Sequence, residues 1–265
     1  KISGFGALEN WNGNLSLGVL AARQAMNRAI ELAADFGIGC VSLRNTNHWM
    51  RGGTYGWQAA EAGFAAICWT NTLPNMPAWG GRDRRIGNNP LVIAIPRRGG
   101  HVVLDMAMSQ FSYGKLEEYR MKGTPLPVPG GYDAEGALTT DPFAIEQSLR
   151  LLPIGYWKGS GLSIVLDLLA AGLSGGNSTA DIGRLGGDEF SLSQVMIAID
   201  PTRLIDEDKL QHTLDDTIAY IQASLPVSAQ GEIYYPGERT KATRADHLKN
   251  GIPVNEEIWK RIQSM

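Results

Sequence analysis

The order of its apolar segments is the feature of this sequence that most constrains the fold. An amphipathic helix is predicted over residues 15–36, with an apolar stripe that begins at Leu15 and Val19, and a buried strand follows at residues 38–43. A short helix at residues 54–63 and a second strand at residues 64–70 repeat this alternation. Strands that alternate with helices favour an α/β sheet.

The next two apolar segments indicate that this sheet is of mixed direction. "LVIAIP" (91–96) and "HVVLDMA" (101–107) flank "RRGG", which predicts an antiparallel hairpin. We therefore expect an α/β fold with a mixed-direction sheet and flanking helices. The remaining pattern predicts a long loop at residues 122–140, a helix buried on most sides at 160–176, a loop at 183–190, a strand at 194–200, a helix at 208–223, and two short helices in 239–265 that separate at 251–253.

Length, charge and cysteine usage exclude several classes of protein. A chain of 265 residues fits one large domain or two intimate ones. A net charge of -3 without a basic stripe argues against a nucleic-acid partner. Cys40 and Cys68 lie inside apolar runs, which is typical of buried thiols in a reducing cytoplasm. No apolar run reaches the roughly 18 residues of a membrane span, so we expect no membrane partner and, with this cysteine usage, a cytoplasmic protein.

The familiar nucleotide and metal motifs do not occur in this sequence. Neither Gly37-Ile38-Gly39 nor Gly159-Ser160-Gly161 supplies the third glycine of a dinucleotide fingerprint. Walker A, zinc-ligand and nucleophile-elbow patterns do not appear either, so we predict no metal site. A bound nucleotide would therefore need a different architecture.

The stretch "NTNHWMRGG" (45–53) contains the best candidate for proton transfer. His48 follows a predicted strand, and its imidazole suits the interconversion of an alcohol and a ketone. Asn47 and Arg51 stand beside it and could orient a polar substrate. A histidine that only hydrogen-bonds the loop backbone is the alternative.

"GYWKGSG" (155–161) is a second candidate, since Lys158 and free N–H groups before a helix suit an anion. A tight turn with Lys158 in solvent is the alternative. Asp105 could accept hydrogen bonds from ribose hydroxyls or could cap a turn. We expect structural or solvated roles for the other histidines and exposed positions for two tryptophans that would suit an interface: His101, His212, His247, Trp11 and Trp79.

Several strings together resemble the type-2 malate/L-lactate dehydrogenase family. They include "NHWMRGG", "RIGNNPLVIAIP", "LDMAMSQFSYGKLE" and "YWKGSGLSIVLDLLAAGL", and the resemblance extends from about residue 7 to residue 265. It implies a non-Rossmann NAD(P)-binding fold, a homodimer, and transfer of hydride from NADH, with NADP left open, to the ketone of a small 2-oxo acid. The strings favour the branch that reduces 2,3-diketo-L-gulonate to 3-keto-L-gulonate, with malate-, lactate- or ureidoglycolate-type acids as alternatives.

The resemblance also assigns roles to individual residues, and His48 is expected to be catalytic. Asn47, Arg51 and Lys158 are expected to bind substrate because of their residue types and positions. The expected cofactor-binding residues are Thr72, His101, Val102, Val103, Leu104, Asp105, Met106, Ala107, Trp157, Lys158, Gly237, Glu238 and Arg239.

The resemblance finally predicts how the chain is organised. Residues 1–265 should form one catalytic unit, with a cofactor-binding core at about 45–230 and a second part formed by 1–44 and 231–265. Family members carry an N-terminal helical segment with a Ser-His-Gly motif ahead of the position that Lys1 matches, and we expect this segment to be missing here. A chain without its histidine could instead be a non-catalytic nucleotide-binding fragment.

Overall fold

The computed structural model describes residues 1–228 and 231–265. Within them the strands are β1 (Ser3–Phe5), β2 (Leu8–Asn12), β3 (Ile38–Thr46), β4 (Ala65–Thr70), β5 (Met76–Pro77), β6 (Arg84–Ile86), β7 (Leu91–Ile95), β8 (Val102–Met106), β9 (Gly131–Tyr132), β10 (Leu138–Thr139) and β11 (Leu192–Ile199). The helices are α1 (Gly18–Phe36), α2 (Gly53–Glu61), α3 (Tyr113–Met121), α4 (Pro142–Ser148), α5 (Trp157–Ser174), α6 (Thr179–Leu185), α7 (Glu207–Gln222), α8 (Glu238–Asn250) and α9 (Glu256–Gln263).

A mixed sheet organises these elements. In the described part of the chain seven strands pair in the order β1-β2-β3-β11-β4-β7-β8. β2 and β3 run parallel, whereas the other neighbours are antiparallel. The predicted mixed direction and the predicted hairpin are both confirmed. The β5–β6 and β9–β10 pairs form two small separate sheets.

Helices cover both faces of the large sheet. Successive residues of a strand point to opposite faces, and on β11 Val195 and Met196 enter two different cores. Met196 packs with Met26 of α1 and Tyr55 of α2. Val195 joins the other core, which contains Leu166 of α5. The sheet is therefore the middle layer of three.

The first helix forms as predicted, but it begins later. α1 starts at Gly18, and Leu15 and Val19 are exposed rather than part of the buried stripe. A Cβ on Gly18 would lie 2.1 Å from the backbone oxygen of Asn47. Only glycine allows this approach, so the start of α1 lies directly against the segment that carries His48.

The prediction of a helix buried on most sides is wrong. α5 forms, but it buries a single face through Ser163, Leu166 and Ala170. The sheet covers only that face, so the opposite face is exposed and carries large apolar side chains: Leu162, Ile164, Val165, Leu168, Leu169 and Leu173.

Other differences concern short elements. The predicted loop at residues 183–190 is helical up to Leu185, because Ser178 and Asp181 form a capping box that starts α6. The strand before His48 continues to Thr46. β9 and β10 lie within the predicted long loop, and β1 and β2 lacked a clear sequence pattern. The predicted boundary at residue 230 falls outside the described residues.

No single helix in the described ranges has the length and apolar character to cross a membrane. α5 and α6 together pass that test by length and composition alone, and they are bent by 80° at the break between them.

A buried carboxylate joins the β1–β2 edge of the sheet to α1. Glu9 accepts hydrogen bonds from Lys1 (2.7 Å), Arg28 (2.9 Å) and Trp11 (2.9 Å). Burial alone would raise the pKa of Glu9, but the bonds from Arg28, Lys1 and Trp11 outweigh it and lower that pKa to about 2. Trp11 is thus half-buried and engaged, contrary to the predicted exposed position.

We expect Glu9→Gln to lower the free energy of unfolding by about 2 kcal/mol at neutral pH, since it removes a buried charge that three donors satisfy. The folded-state pKa lies below the ordinary 4.5, so the loss should be complete above that pH and should shrink as the pH falls toward about 2. Urea unfolding at several pH values measures this. Glu31→Gln, which removes an exposed partner of Arg28, is the control, and equal losses in both variants would contradict the prediction.

Candidate active site

The segments that carry the candidate residues lie at one end of the strands of the sheet. β3 ends at Thr46, which pairs with Leu192 at the start of β11. β4 ends at Thr70 beside the same strand. β8 ends at Met106, opposite the start of β7. The segments that follow β3, β4 and β8 and the segment that precedes β11 therefore emerge together.

His48 lies just beyond β3, with 53% of its side chain exposed. Its Nδ1 accepts a hydrogen bond from the backbone N–H of Met50 at 3.0 Å. Met50 has a φ of 64°, an unusual conformation that folds the turn back onto the ring. Because Nδ1 is an acceptor, the neutral imidazole carries its proton on Nε2. The backbone contact considered from the sequence is present, and it leaves Nε2 facing outward from the turn.

Glu189 faces this imidazole and was missed by the sequence analysis. Its Oε1 lies 3.9 Å from Nε2 of His48, and only 15% of its side chain is exposed. Its Oε2 accepts a hydrogen bond from the N–H of Leu73 at 3.0 Å. Burial raises the pKa of Glu189, although the Leu73 N–H and His48 oppose this shift. The one available signal was a carboxylate just before a buried strand.

Asn47 holds the local backbone. Its Nδ2 donates to the carbonyl oxygens of Leu15 and Ser16, which fixes the approach to α1. Its backbone carbonyl oxygen accepts a hydrogen bond from Nε2 of Gln194. Its Oδ1 is buried, and it has no partner among the described residues. The side-chain N–H groups that the substrate prediction would use are therefore engaged within the chain.

Thr72 links the His48 region to α5. Its N–H donates to Oδ1 of Asn89 at 3.0 Å, and Nδ2 of Asn89 donates to the carbonyl oxygen of Ser163 on α5. The next residue, Leu73, holds Glu189. A continuous set of polar contacts thus connects Glu189, the end of β4 and the buried face of α5.

The "GYWKGSG" segment lies at the same end of the strands. The N–H of Ile154 donates to the carbonyl of Met108, just beyond β8. Trp157 and Lys158 form the first residues of α5, where both are exposed. The cavities of about 1120, 610 and 410 Å³ are lined by neither Lys158 nor His48. These two residues lie at the same end of the strands, but none of these three cavities joins them.

Arg51, Asp105 and Gly237 do meet, in the cavity of about 410 Å³. Asp105 accepts a hydrogen bond from the N–H of Gly53 at 2.8 Å and lies 3.8 Å from Nε of Arg51. The carboxylate therefore caps the start of α2 and also faces the cavity. Nη2 of Arg51 lies 3.4 Å from Oγ1 of Thr240, which ties this cluster to α8.

Val103 and Leu104 also line this cavity. The N–H of Val103 donates to the carbonyl of Pro236, so the segment before α8 lies along the free edge of β8. Val102, Met106 and Ala107 complete the predicted strand segment but line none of the three cavities. Glu238 accepts hydrogen bonds from the N–H of Tyr235 and from Gln222.

The cavity of about 1120 Å³ lies between α2 and α8 and is rich in guanidinium groups. Arg51 and Trp57 line both this cavity and the smaller one. Arg239, Arg244 and the half-buried His247 also line it. The pyrophosphate of a dinucleotide needs cationic donors and its ribose needs acceptors such as Asp105, so this donor set fits a nicotinamide dinucleotide. Among the described residues no group of His, Cys, Asp and Glu is placed to hold a metal ion.

His101 lies at the other end of the strands, just before β8. It precedes β8, where its Nδ1 accepts a hydrogen bond from the N–H of Arg97 and its ring meets Trp57 edge-on. Burial lowers the pKa of His101. The predicted cofactor segment 101–107 therefore runs the length of β8, from one end of the strand to the other.

Comparison with known proteins identifies the family. The family model described as "Malate/L-lactate dehydrogenase" matches residues 2–263. This chain belongs to the malate/L-lactate dehydrogenase family. It is 49% identical to 2,3-diketo-L-gulonate reductase of Escherichia coli (strain K12), and the match covers 100% of this chain and 80% of that protein. The resemblance identified in the sequence is confirmed, and the protein is an oxidoreductase of hydroxy or oxo acids.

Solved structures of the family share the fold. Malate dehydrogenase from Entamoeba histolytica gives a TM-score of 0.93 at 25% identity, over 100% of this chain and 78% of that one. Delta1-piperideine-2-carboxylate reductase from Pseudomonas syringae pvar. tomato gives 0.83 at 27% identity, over 99% and 78%. The predicted fold class of this malate/L-lactate dehydrogenase family member is confirmed.

We expect Gly237→Ala to disturb the start of α8. Gly237 has a φ of 96°, and an added Cβ would lie 3.0 Å from the N atom of Val103. Strain and crowding together should cost about 1–3 kcal/mol of unfolding free energy and should loosen the wall of the 410 Å³ cavity. Thermal unfolding and calorimetric NADH titration measure the two effects.

The control is Gly251→Ala at the other end of α8. Gly251 has a similar φ of 89°, but nothing lies within 4 Å of its added Cβ. This variant should lose stability through strain alone, and its NADH affinity should not change. Equal effects of the two substitutions on NADH affinity would contradict the role given to Gly237.

Proposed function

We propose that this enzyme reduces 2,3-diketo-L-gulonate to 3-keto-L-gulonate with NADH. The observation that carries the proposal is the 49% identity, across the whole of this chain, to an E. coli protein named for that reduction. His48 lies just beyond the end of β3, on the same side of the sheet as the ends of β4 and β8, and this placement supports a role in ketone reduction.

The cofactor would occupy the two cavities along β8 and α8, which share Arg51, Trp57 and Thr240 in their linings. Arg51 and Arg239 would bind its pyrophosphate, and Asp105 would accept from a ribose hydroxyl. When bound, the dihydronicotinamide supplies the hydride. Gly237 and Val103 would shape the wall against which the cofactor rests. The remaining predicted cofactor residues stay proposals from the family resemblance: Thr72, His101, Val102, Leu104, Met106, Ala107, Trp157, Lys158 and Glu238.

His48 would act on the substrate ketone. Its Nε2–H would donate to the carbonyl oxygen, where negative charge develops as the hydride arrives, and we proposed from the sequence that it protonates the alkoxide. Lys158, exposed at the start of α5, would attract the substrate carboxylate. We propose a cytoplasmic location, which the free thiols Cys40 and Cys68 support.

A different hydroxy or oxo acid is the alternative substrate. Family members of known structure include a sulfolactate dehydrogenase from Methanocaldococcus jannaschii and malate dehydrogenases. A panel of 2,3-diketo-L-gulonate, malate, lactate, sulfolactate and ureidoglycolate, assayed by NAD(P)H absorbance, decides between them. NADH binding without turnover of any acid would indicate a nucleotide-binding protein instead.

The predicted homodimer is supported by the exposed face of α5. This face is apolar apart from Lys158 near its start. Gly161 and Gly172 lie on it with nothing within 4 Å of an added Cβ. A glycine inside a helix costs about 1 kcal/mol, and no contact among the described residues explains either one. Both would allow a helix to approach closely, and an uncharged surface suits the α5 of a second copy.

His48→Ala should abolish turnover and change NADH affinity little, because the imidazole is proposed to contact the substrate oxygen and not the dinucleotide. Steady-state rates and calorimetric NADH titration test this. His212→Ala, a substitution of an exposed histidine on α7, is the control. A His48→Ala enzyme with a near-normal rate would remove His48 from the reaction.

Leu168→Glu should convert the dimer to a monomer, since two carboxylates would face each other across a closed apolar contact. Leu168 is 63% exposed in the single chain, so the substitution should not affect its folding. Analytical ultracentrifugation of the full protein measures the mass. Leu204→Glu, at an exposed leucine after β11, is the control. A Leu168→Glu protein that stays dimeric would exclude α5 as the interface.

A further inference from the structure

The facing atoms of His48 and Glu189 lie at a separation that one bound oxygen atom could bridge. The two facing atoms, Nε2 and Oε1, are 3.9 Å apart, which is too far for a direct hydrogen bond. An oxygen at ordinary hydrogen-bond distance from both, about 2.7–2.9 Å, would lie to one side of the line that joins them, with a bridging angle near a right angle. A substrate carbonyl oxygen has lone pairs for two such contacts.

The surroundings hold both partners in place. The Leu73 N–H fixes Oε2 of Glu189, so Oε1 is left to face the gap. The Met50 N–H fixes Nδ1 of His48, so the neutral ring presents N–H to the gap. Burial raises the pKa of Glu189, while the Leu73 N–H and His48 act in the opposite direction and do not cancel that shift.

The geometry points to Glu189 as a second catalytic residue, whose carboxyl group donates the proton to the substrate oxygen that the Nε2–H of His48 holds. This inference rests on the proposed reductase function. It gives to Glu189 the proton donation that the sequence analysis had expected of His48, and it leaves His48 to hold the substrate oxygen.

The proposed step balances in protons and electrons. The substrate carbon gains a hydride, which breaks the π bond of the ketone and places the electron pair on oxygen. That oxygen takes the proton of the Glu189 carboxyl group and becomes a hydroxyl, while the reduced cofactor becomes oxidised. Glu189 is left as a carboxylate and regains a proton from solvent past the half-exposed ring of His48.

A neutral His48 is a poor proton donor in this geometry. Loss of its Nε2 proton would leave an imidazolate, and formation of an imidazolium would set an Nδ1–H against the N–H of Met50. A buried carboxyl group has no such conflict, because burial already favours its protonated form. The reduction rate should therefore be high at low pH and fall as the pH rises through the raised pKa of Glu189.

The test compares Glu189→Gln with Asp188→Asn in the full protein. Glutamine keeps an acceptor for the Leu73 N–H and a donor toward the gap, but it carries no acidic proton. We expect kcat for diketogulonate reduction to fall by about 100-fold or more, with KM and NADH affinity little changed. The descending limb of the pH–rate profile should vanish. Asp188 is exposed in the same loop, so Asp188→Asn should keep the wild-type rate and profile.

A second measurement does not depend on turnover. In protein labelled with ¹³C at the glutamate carboxyl carbons, one resonance should titrate above the ordinary range of glutamate. It should vanish in Glu189→Gln and persist in Asp188→Asn. A Glu189 resonance that titrates in the ordinary range would overturn the inference.

His48→Gln separates the two roles further. Its amide keeps a donor near the position of Nε2 and cannot act as an acid, so it should retain more activity than His48→Ala. An active wild type whose Glu189→Gln variant keeps its kcat and pH profile would overturn the role of Glu189 and leave the reductase intact. A wild type that reduces no acid in the panel would overturn the proposed function, and this inference with it.

Discussion

The position of β11 between β3 and β4 is the constraint on which the candidate site depends. β11 comes late in the chain, yet it pairs antiparallel with both of these early strands. Its register places Leu192 opposite Thr46, so the residues just before it arrive where β3 ends. Glu189 and His48, distant in sequence, become neighbours only through this pairing.

A polar cluster secures the start of β11. Oδ1 of Asn71 accepts from the N–H of Ser193, and Nδ2 of Asn71 donates to Asp167 on α5. Asp167 also accepts from the N–H of Thr179 at the start of α6. Buried polar groups are costly unless satisfied, so each contact restricts where its neighbours can lie. The loop that carries Glu189 is therefore attached to a rigid frame.

The same helix serves the core and, in our proposal, the dimer. α5 turns Ser163 and Leu166 toward the sheet and its leucine-rich face outward. Lys158 lies at the start of the exposed side. A partner on that face would bring a second chain close to the substrate side of the sheet. Dimer formation would then place the second chain near the substrate, while the contacts around His48 stay within one chain.

The sequence determined the type and order of most elements, because periodicity and glycine punctuation are local properties. It indicated the mixed sheet, the hairpin of β7 and β8, and His48 as a residue at a strand end. Asp105, Arg51 and Gly237 were also named in advance, and the fold brings them to one cavity.

The tertiary structure alone decided the rest. Whether an apolar helix is covered on one face or on all faces depends on how many layers pack on it, which is why the burial predicted for α5 was wrong. Which carboxylate faces His48 depends on the strand order, and local sequence does not encode the register of β11 against β3. The pattern of residues specified the helices and strands, and only long-range strand pairing placed Glu189 opposite the imidazole of His48.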